Sequence, residues 1–209
     1  MVFLRRDPAD DGERRIEGAL VYLRHPDVKD FQEWAELRSR SRAFLTPWEP
    51  TWAEDELSKA AFRYRVRRYL QDIDDGRAYP YFMFSRADHR LVGGATLSQV
   101  RRGAAQAATL GYWIGAPHQN RGYTTDAVRT IVHYAFEDLN LHRVEAACQP
   151  ENHASQAVLR KAGFEHEGRA RAYLRINGAW RDHLLFGRTR PEDAKPAPSR
   201  PGSPGEAPQ

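Results

Sequence analysis

The strongest constraint in this chain is a set of apolar residues at helical spacing, Ala127, Val128, Ile131, Ala135 and Leu139, held between two short runs of strand character. One run covers about residues 105 to 115 and the other residues 142 to 149. Strands joined through a helix of this length form a crossover and lie parallel, because a tight turn serves only antiparallel neighbours. The helix is expected from Thr124 to about Asn140, after Pro117.

The other patterns fill in a sheet around that crossover. Gly18 to Arg24 reads as a strand, and Pro26-Asp27 opens a helix with Val28, Phe31, Trp34 and Ala35 on one face. The loop Phe44-Leu45-Thr46-Pro47-Trp48-Glu49-Pro50 leads to a second helix at about residues 53 to 74. Tyr79 to Arg86 and Leu91 to Gln99 make a hairpin split at residues 87–90. Asn152 to Ala162 is a helix, and strands at about Phe164 to Ile176 and Trp180 to Arg188 are joined by Asn177-Gly178, a strong hairpin signal. Strand, two helices, three strands, helix, strand, helix and two strands add up to an α/β (α+β) fold with a mixed, mostly antiparallel sheet.

Composition excludes several classes. At 209 residues with 41% hydrophobic content the chain can bury a real core, yet no window offers the roughly 18 to 20 consecutive apolar residues of a membrane span. The start, MVFLRRDPADDGERR, has no apolar signal core, so a soluble, cytoplasmic protein is expected. The single cysteine, Cys148, excludes an intrachain disulfide and a multi-cysteine metal site, and the eight histidines show no paired spacing, so no metal is expected. Residues 190–209 hold six of the 13 prolines with balanced charge and read as a disordered tail. Residues 1–15 read as a flexible lead-in, leaving residues 16–189 as the folded domain. The net charge of +4 is mild, and its densest stretch, Phe62 to Arg68, places arginines on the outer faces of a helix. That stretch is either a solvated face or an attractor of anions or RNA phosphates, which salt dependence separates. Sequence-specific nucleic-acid recognition is not expected.

Chemistry points to the start of the crossover helix, Gln119-Asn120-Arg121-Gly122-Tyr123-Thr124. A glycine there lets a ligand approach the backbone, and the first helical turn offers N–H groups and partial positive charge for phosphate. No Lys-Ser/Thr follows the glycine and no GxGxxG is present, which argues against an NTPase and a nicotinamide dehydrogenase. Taken alone, a glycine before a helix is more often a plain turn.

The stretch from Leu110 to Gly187 resembles the GNAT superfamily of acyl-CoA N-acyltransferases, most closely its RimJ/RimL-like branch of ribosomal-protein N-terminal acetyltransferases. Gly111-Tyr112-Trp113-Ile114-Gly115, the loop 119–124, His142-Arg143, Pro150-Glu151-Asn152-His153-Ala154-Ser155, Leu159-Arg160-Lys161-Ala162-Gly163-Phe164 and Glu167-Gly168 carry the resemblance, and the hairpin Tyr173 to His183 resembles the RimJ type. It implies a GNAT fold with helices on both sheet faces and acetyl-CoA as co-substrate. It also implies that the strands ending near Gly115 and Gln149 splay apart to expose their edges. Pyrophosphate is then expected on Gln119, Asn120, Arg121, Gly122, Tyr123 and Thr124, and the thioester carbonyl near the amides of Trp113 or Ile114. Asn152 and Ser155 match the branch's Asn-x-x-Ser coenzyme contact, although Asn152 is equally a helix cap. The family's phosphate loop has a glycine where this chain has Asn120, which tolerates left-handed angles, and a small residue where it has Thr124.

Direct transfer needs a neutral amine. An α-amino group is on the order of 10 to 15% neutral at pH 7 and a lysine only about 0.04%, so a protein N-terminus asks little of a base. Ser155 is the candidate acid for the leaving thiolate, with Tyr123 and Tyr173 behind it. Asp182, His183 and Glu145 are candidate bases, and Asp182 and His183 alternate faces, so at most one enters a given cleft. Cys148 is either a covalent acyl carrier or a small buried side chain. The resemblance implies acetylation of a protein N-terminus, on a ribosomal protein and in association with the ribosome. A small amine such as an antibiotic or polyamine as acceptor, or a non-catalytic acyl-CoA sensor or ribosome- and RNA-associated assembly factor, are the alternatives.

Overall fold

A periodicity strong enough to be read from sequence leaves its mark on burial. The crossover helix buries Ala127, Val128, Ile131, Val132 and Ala135 completely. The computed structural model describes residues 15–191. Its strands are β1 (Ile16–Glu17), β2 (Val21–Arg24), β3 (Tyr79–Ser85), β4 (Leu91–Arg101), β5 (Ala107–Ile114), β6 (Arg143–Cys148), β7 (Glu165–Ile176) and β8 (Ala179–Thr189). They form one sheet in the order β1-β2-β3-β4-β5-β6-β8-β7. Only β5 and β6 run parallel. The helices are α1 (Phe31–Arg40), α2 (Arg42–Leu45), α3 (Lys59–Asp74), α4 (Tyr123–Glu137) and α5 (His153–Lys161).

The sheet separates two cores. On one face α4 and α5 pack Val128, Ile131, Ala135 and Leu159 over Leu97, Ala108, Leu110, Val144 and Phe186. On the other face Trp34 and Leu37 of α1 and Phe62 and Val66 of α3 cover Tyr22, Phe82, Phe84 and Leu91. The expected mixed α/β sheet with helices on both faces is thus present.

Several boundaries differ from the sequence expectation for local reasons. Residues 28–30 form a 3₁₀ turn capped by Asp27, which puts Val28 out of phase with α1 and leaves it exposed. The second long helix starts at Lys59, not near residue 53, because the Ser58 hydroxyl accepts from the Ala61 amide. The first strand breaks after Glu17, since residues 19–21 donate three amides to the Asp126 carboxylate. Arg190, assigned to the tail from sequence, is held by the fold: its amide donates to the His142 carbonyl and its side chain meets Asn140 and Glu137. The expectations for residues 1–14 and 192–209 lie outside the described residues.

Candidate active site

The parallel pair is short. β5 and β6 match only at Ala107↔Arg143, Ala108↔Val144 and Thr109↔Glu145. Beyond that point β5 stays with β4 as far as Ile114, and β6 stays with β8 as far as Cys148. Gly93 and Gly94 hold β5 to β4: a Cβ on Gly94 would sit 2.5 Å from the Trp113 indole nitrogen, and one on Gly93 would collide with the Trp113 carbonyl. The Gly115 amide donates to Val92 of β4 at 2.8 Å. Strand alternation therefore turns the N–H and C=O of Tyr112 and Ile114 to the open edge, where no strand pairs with them.

A cleft of about 550 Å³ runs along the α4–α5 side of this gap. Its lining includes Trp113, Ile114, Gln119, Asn120, Arg121, Gly122, Tyr123, Thr124, Asn152 and Ser155, so all ten residues expected to bind the coenzyme meet in one place. The loop turns through two left-handed residues, Asn120 at φ 58° and Gly122 at φ 81°. Asparagine thus takes the backbone shape the family's glycine would supply. Gly122 is the N-cap of α4, and no side chain caps that end, so its first-turn amides open on the cleft. His118 borders the same loop; burial and the neighbouring Arg121 push its imidazole below the usual range, which favours the neutral ring.

A second cavity of about 340 Å³ lies across the gap. The two share Trp48, Tyr112, Asn152 and Ser155, which makes these residues the junction between them. At the junction the Tyr112 hydroxyl and the Ser155 Oγ are hydrogen-bonded at 2.8 Å. Burial drives the Tyr112 phenol well above its usual range, outweighing the opposing Ser155 hydrogen bond, so it keeps its proton. The Asn152 Oδ1 accepts from the Ser155 amide at 3.0 Å, the capping geometry weighed from sequence, and it fixes the start of α5 under that hydroxyl.

The candidate bases separate. His183 is buried and lines the second cavity, with Nδ1 3.0 Å from the Arg181 carbonyl. That contact assigns the proton to Nδ1 and leaves the Nε2 lone pair available. Asp182 lines neither cavity. Its Oδ2 accepts two hydrogen bonds from Arg169 and its Oδ1 accepts one from the Ala172 amide. The amide, then Arg169, hold the carboxyl below the usual range, and this correction removes Asp182 from the cleft. Glu145 is also elsewhere, paired with Arg101 and Arg143. Tyr173 borders neither cavity and meets the His183 ring edge-on. Cys148 lines the second cavity, but burial pushes its thiol up, which disfavours the thiolate a covalent carrier needs. Among the described residues no group of three or more His, Cys, Asp or Glu is placed to hold a metal ion.

The loop after α2 closes the junction from the α1 side. Arg38 of α1 makes two 2.7 Å hydrogen bonds to Glu49, and Trp52 Nε1 donates to the same carboxylate. The guanidinium lies over the Trp52 ring at 4.3 Å and the Trp113 ring at 4.9 Å, tying the loop to the open strand. The loop is also pinned across the gap: Gln149 Nε2 donates to the Pro47 carbonyl and the Asn177 amide to the Glu49 carbonyl.

The sequence reading passes over Tyr112, Arg38 and Glu49 as site residues. Tyr112 carried a usable signal, because the period of two places it on the same face as Leu110 and Ala108, toward α5. Arg38 and Glu49 carried none, lying eleven residues apart around an irregular loop.

Comparison with known proteins bears on this geometry. The acetyltransferase (GNAT) domain family matches residues 21–165. The Bacillus subtilis protein named "Probable N-acetyltransferase YjcK" is 38% identical over 178 residues, 85% of this chain and 98% of its own. The Escherichia coli "[Ribosomal protein uS5]-alanine N-acetyltransferase" is 34% identical over 167 residues, 79% of this chain and 86% of its own. The solved structure of Mycobacterium smegmatis RimJ in complex with CoA-disulfide superposes with a TM-score of 0.79 at 32% identity, covering 88% of each chain. Sheet gap, uncapped helix and these relatives agree, and the chain belongs to the GNAT family as an N-acetyltransferase.

Proposed function

We propose that this enzyme transfers an acetyl group from acetyl-CoA to the N-terminal α-amine of a protein, in the first instance a ribosomal protein, by direct attack with donor and acceptor bound together. The observation that carries this reading is the Tyr112–Ser155 hydroxyl pair at the junction of two cavities that meet at the sheet gap. The acyl-CoA thioester supplies the acetyl group. The α4 amides, Asn120 and Gly122 fit its pyrophosphate, and the open edge of β5 fits the pantetheine amides. The Ile114 amide faces the gap and is the donor for negative charge developing on the carbonyl oxygen.

Proton movement falls to two side chains. Ser155 gives its proton to the departing sulfur and regains one from water, while the Tyr112 phenol, which burial keeps protonated, holds the Ser155 oxygen by a hydrogen bond. His183 Nε2 takes the proton of the incoming amine. The thiol of Cys148 is a poor nucleophile at neutral pH, which favours direct attack over an acyl-cysteine. Among the described residues no carboxylate lines the second cavity, so a polyamine would find nothing there to neutralise its further charges, whereas a single α-amine needs nothing. Relatives named for the uS5 alanine and for the α-amine of ribosomal L7/L12 support the same acceptor class. Such chemistry belongs in the cytoplasm; among the described residues no helix is long and apolar enough to cross a membrane.

The test is thiol release from acetyl-CoA with short peptides beginning Ala, Ser, Thr or Met, beside spermidine and an aminoglycoside, with products read by mass. Acetylation confined to the peptide α-amine is expected, and His183→Gln should lower kcat/KM by on the order of 100-fold. Coenzyme binding without turnover on any amine overturns the reading in favour of a sensor.

A further inference from the structure

The outward face of α3 is built against its own helix. Its first turn carries Lys59 and no acid, and its last turn carries Asp72 and Asp74 and no base, the reverse of what the macrodipole favours. Arg63 and Arg67 stand at i,i+4 and repel each other. From Lys59 to Leu70 there is no acidic residue. Many surface arginines elsewhere are paired, as in Arg77–Asp72, Arg86–Glu17 and Arg101–Glu145, and Arg65 on the flank of α3 itself pairs with Glu56. Arg63, Arg67 and Arg68 are exposed and make no hydrogen bond or ion pair among the described residues. Tyr64, 58% exposed, lies between them. A helix that accepts these repulsions without internal compensation is shaped for something outside the fold.

We infer that this face of α3 docks on the phosphate backbone of RNA, with Arg63, Arg67 and Arg68 as phosphate contacts and Tyr64 as a stacking platform for an unpaired base. Arginines one turn apart lie about 6 Å from each other along the helix, a spacing that follows successive phosphates on a strand. Guanidinium groups bind phosphate in a planar fork and an exposed aromatic ring stacks on any base without reading its sequence. An anionic lipid surface would call for an apolar stripe, and this face offers only Tyr64 and Leu70. The patch also lies on the sheet face that α1 covers. α3 packs with α1 on one sheet face, and Arg38 of α1 holds Glu49 in the loop that borders both cavities. An acceptor protein carried by RNA would then present its N-terminus from the side where α3 engages the nucleic acid. That use rests on the protein-acceptor reading; the RNA contact itself does not.

The experiment titrates a labelled single-stranded RNA oligonucleotide with the full chain at several salt concentrations, alongside phosphatidylserine vesicles, and compares R63Q/R67Q/R68Q with R63K/R67K/R68K. Each phosphate contact contributes about 0.7 to the slope of log K against log salt for single strands, so the glutamine variant is expected to lose about 2 from that slope while the lysine variant keeps it. Acetylation of a short free peptide should be equal in all three proteins. An undiminished slope in the glutamine variant overturns the inference, as does binding to vesicles without binding to RNA. Should the triple glutamine variant fail to fold, Arg67→Gln alone is expected to remove about 0.7, and no loss there overturns it equally. Absence of peptide acetylation by the wild-type chain, with RNA binding intact, would sink the transfer reading and leave this one standing.

Discussion

Of the places where the sheet loses its pairing, two are handled in opposite ways. Between β5 and β6 the strands part after Thr109 and Glu145, and the chain leaves the exposed edge empty with two hydroxyls beside it. Between β7 and β8 residues 171–173 stand opposite Asp182 alone, flanked by the pairs Ala170↔His183 and Leu174↔Arg181. There the fold fills its own gap, because the Asp182 carboxylate takes the stranded Ala172 amide and Arg169. An interrupted ladder is thus a site only where no side chain of the same chain completes it. Asp182 and Ser155 are both polar residues in suggestive motifs, and what separates them is whether their hydrogen-bonding capacity is already spent.

That contrast can be broken from either side. Ser155→Ala should cut kcat by on the order of 100-fold with little change in melting temperature, and a loss below threefold would remove the hydroxyl pair from the chemistry. Arg38→Met strands Glu49 at the edge of the open gap. A loss of about 3 kcal/mol in urea unfolding is expected, with most of it recovered in the double variant carrying Glu49→Leu; no recovery would mean the pair is not a unit.

The filled break should respond only in stability. Ala172 sits at φ 46°, so Ala172→Gly is expected to stabilise the fold by about 0.5–1 kcal/mol and leave kcat unchanged. Asp182→Asn should leave the pH–rate profile unaltered. The folded-state carboxyl is held below its usual range, so its stabilisation is complete above the unfolded value of about 4 and fades as pH falls through the folded one. Melting temperatures of wild type and Asp182→Asn should therefore differ at pH 7 and converge below pH 4. A shifted activity profile would return Asp182 to the mechanism.

Much of the site was legible because it is local. The glycine before α4, the left-handed asparagine two residues earlier and the Asn-x-x-Ser at the start of α5 each dictate backbone shape over a few residues, and all ten of the expected coenzyme residues line one cleft. For Asp182 and His183 the period of two showed that they part company, but not which one enters the cavity. The direction depends on the β7–β8 register, and that register shifts twice.

By itself, the amino-acid sequence determined the crossover, the hairpins and the shape of the α4 loop, since each follows from periodicity or from the allowed angles of a single residue. Tertiary structure decided what is empty and what is filled. The gap exists because Gly93 and Gly94 bind Trp113 to β4 while β6 follows β8. The wall beside it exists because Arg38, Glu49, Trp52 and Trp113 meet from three separate segments. Hydrogen-bond capacity is spent or spared only when distant parts of the chain come together, so no local pattern can record it.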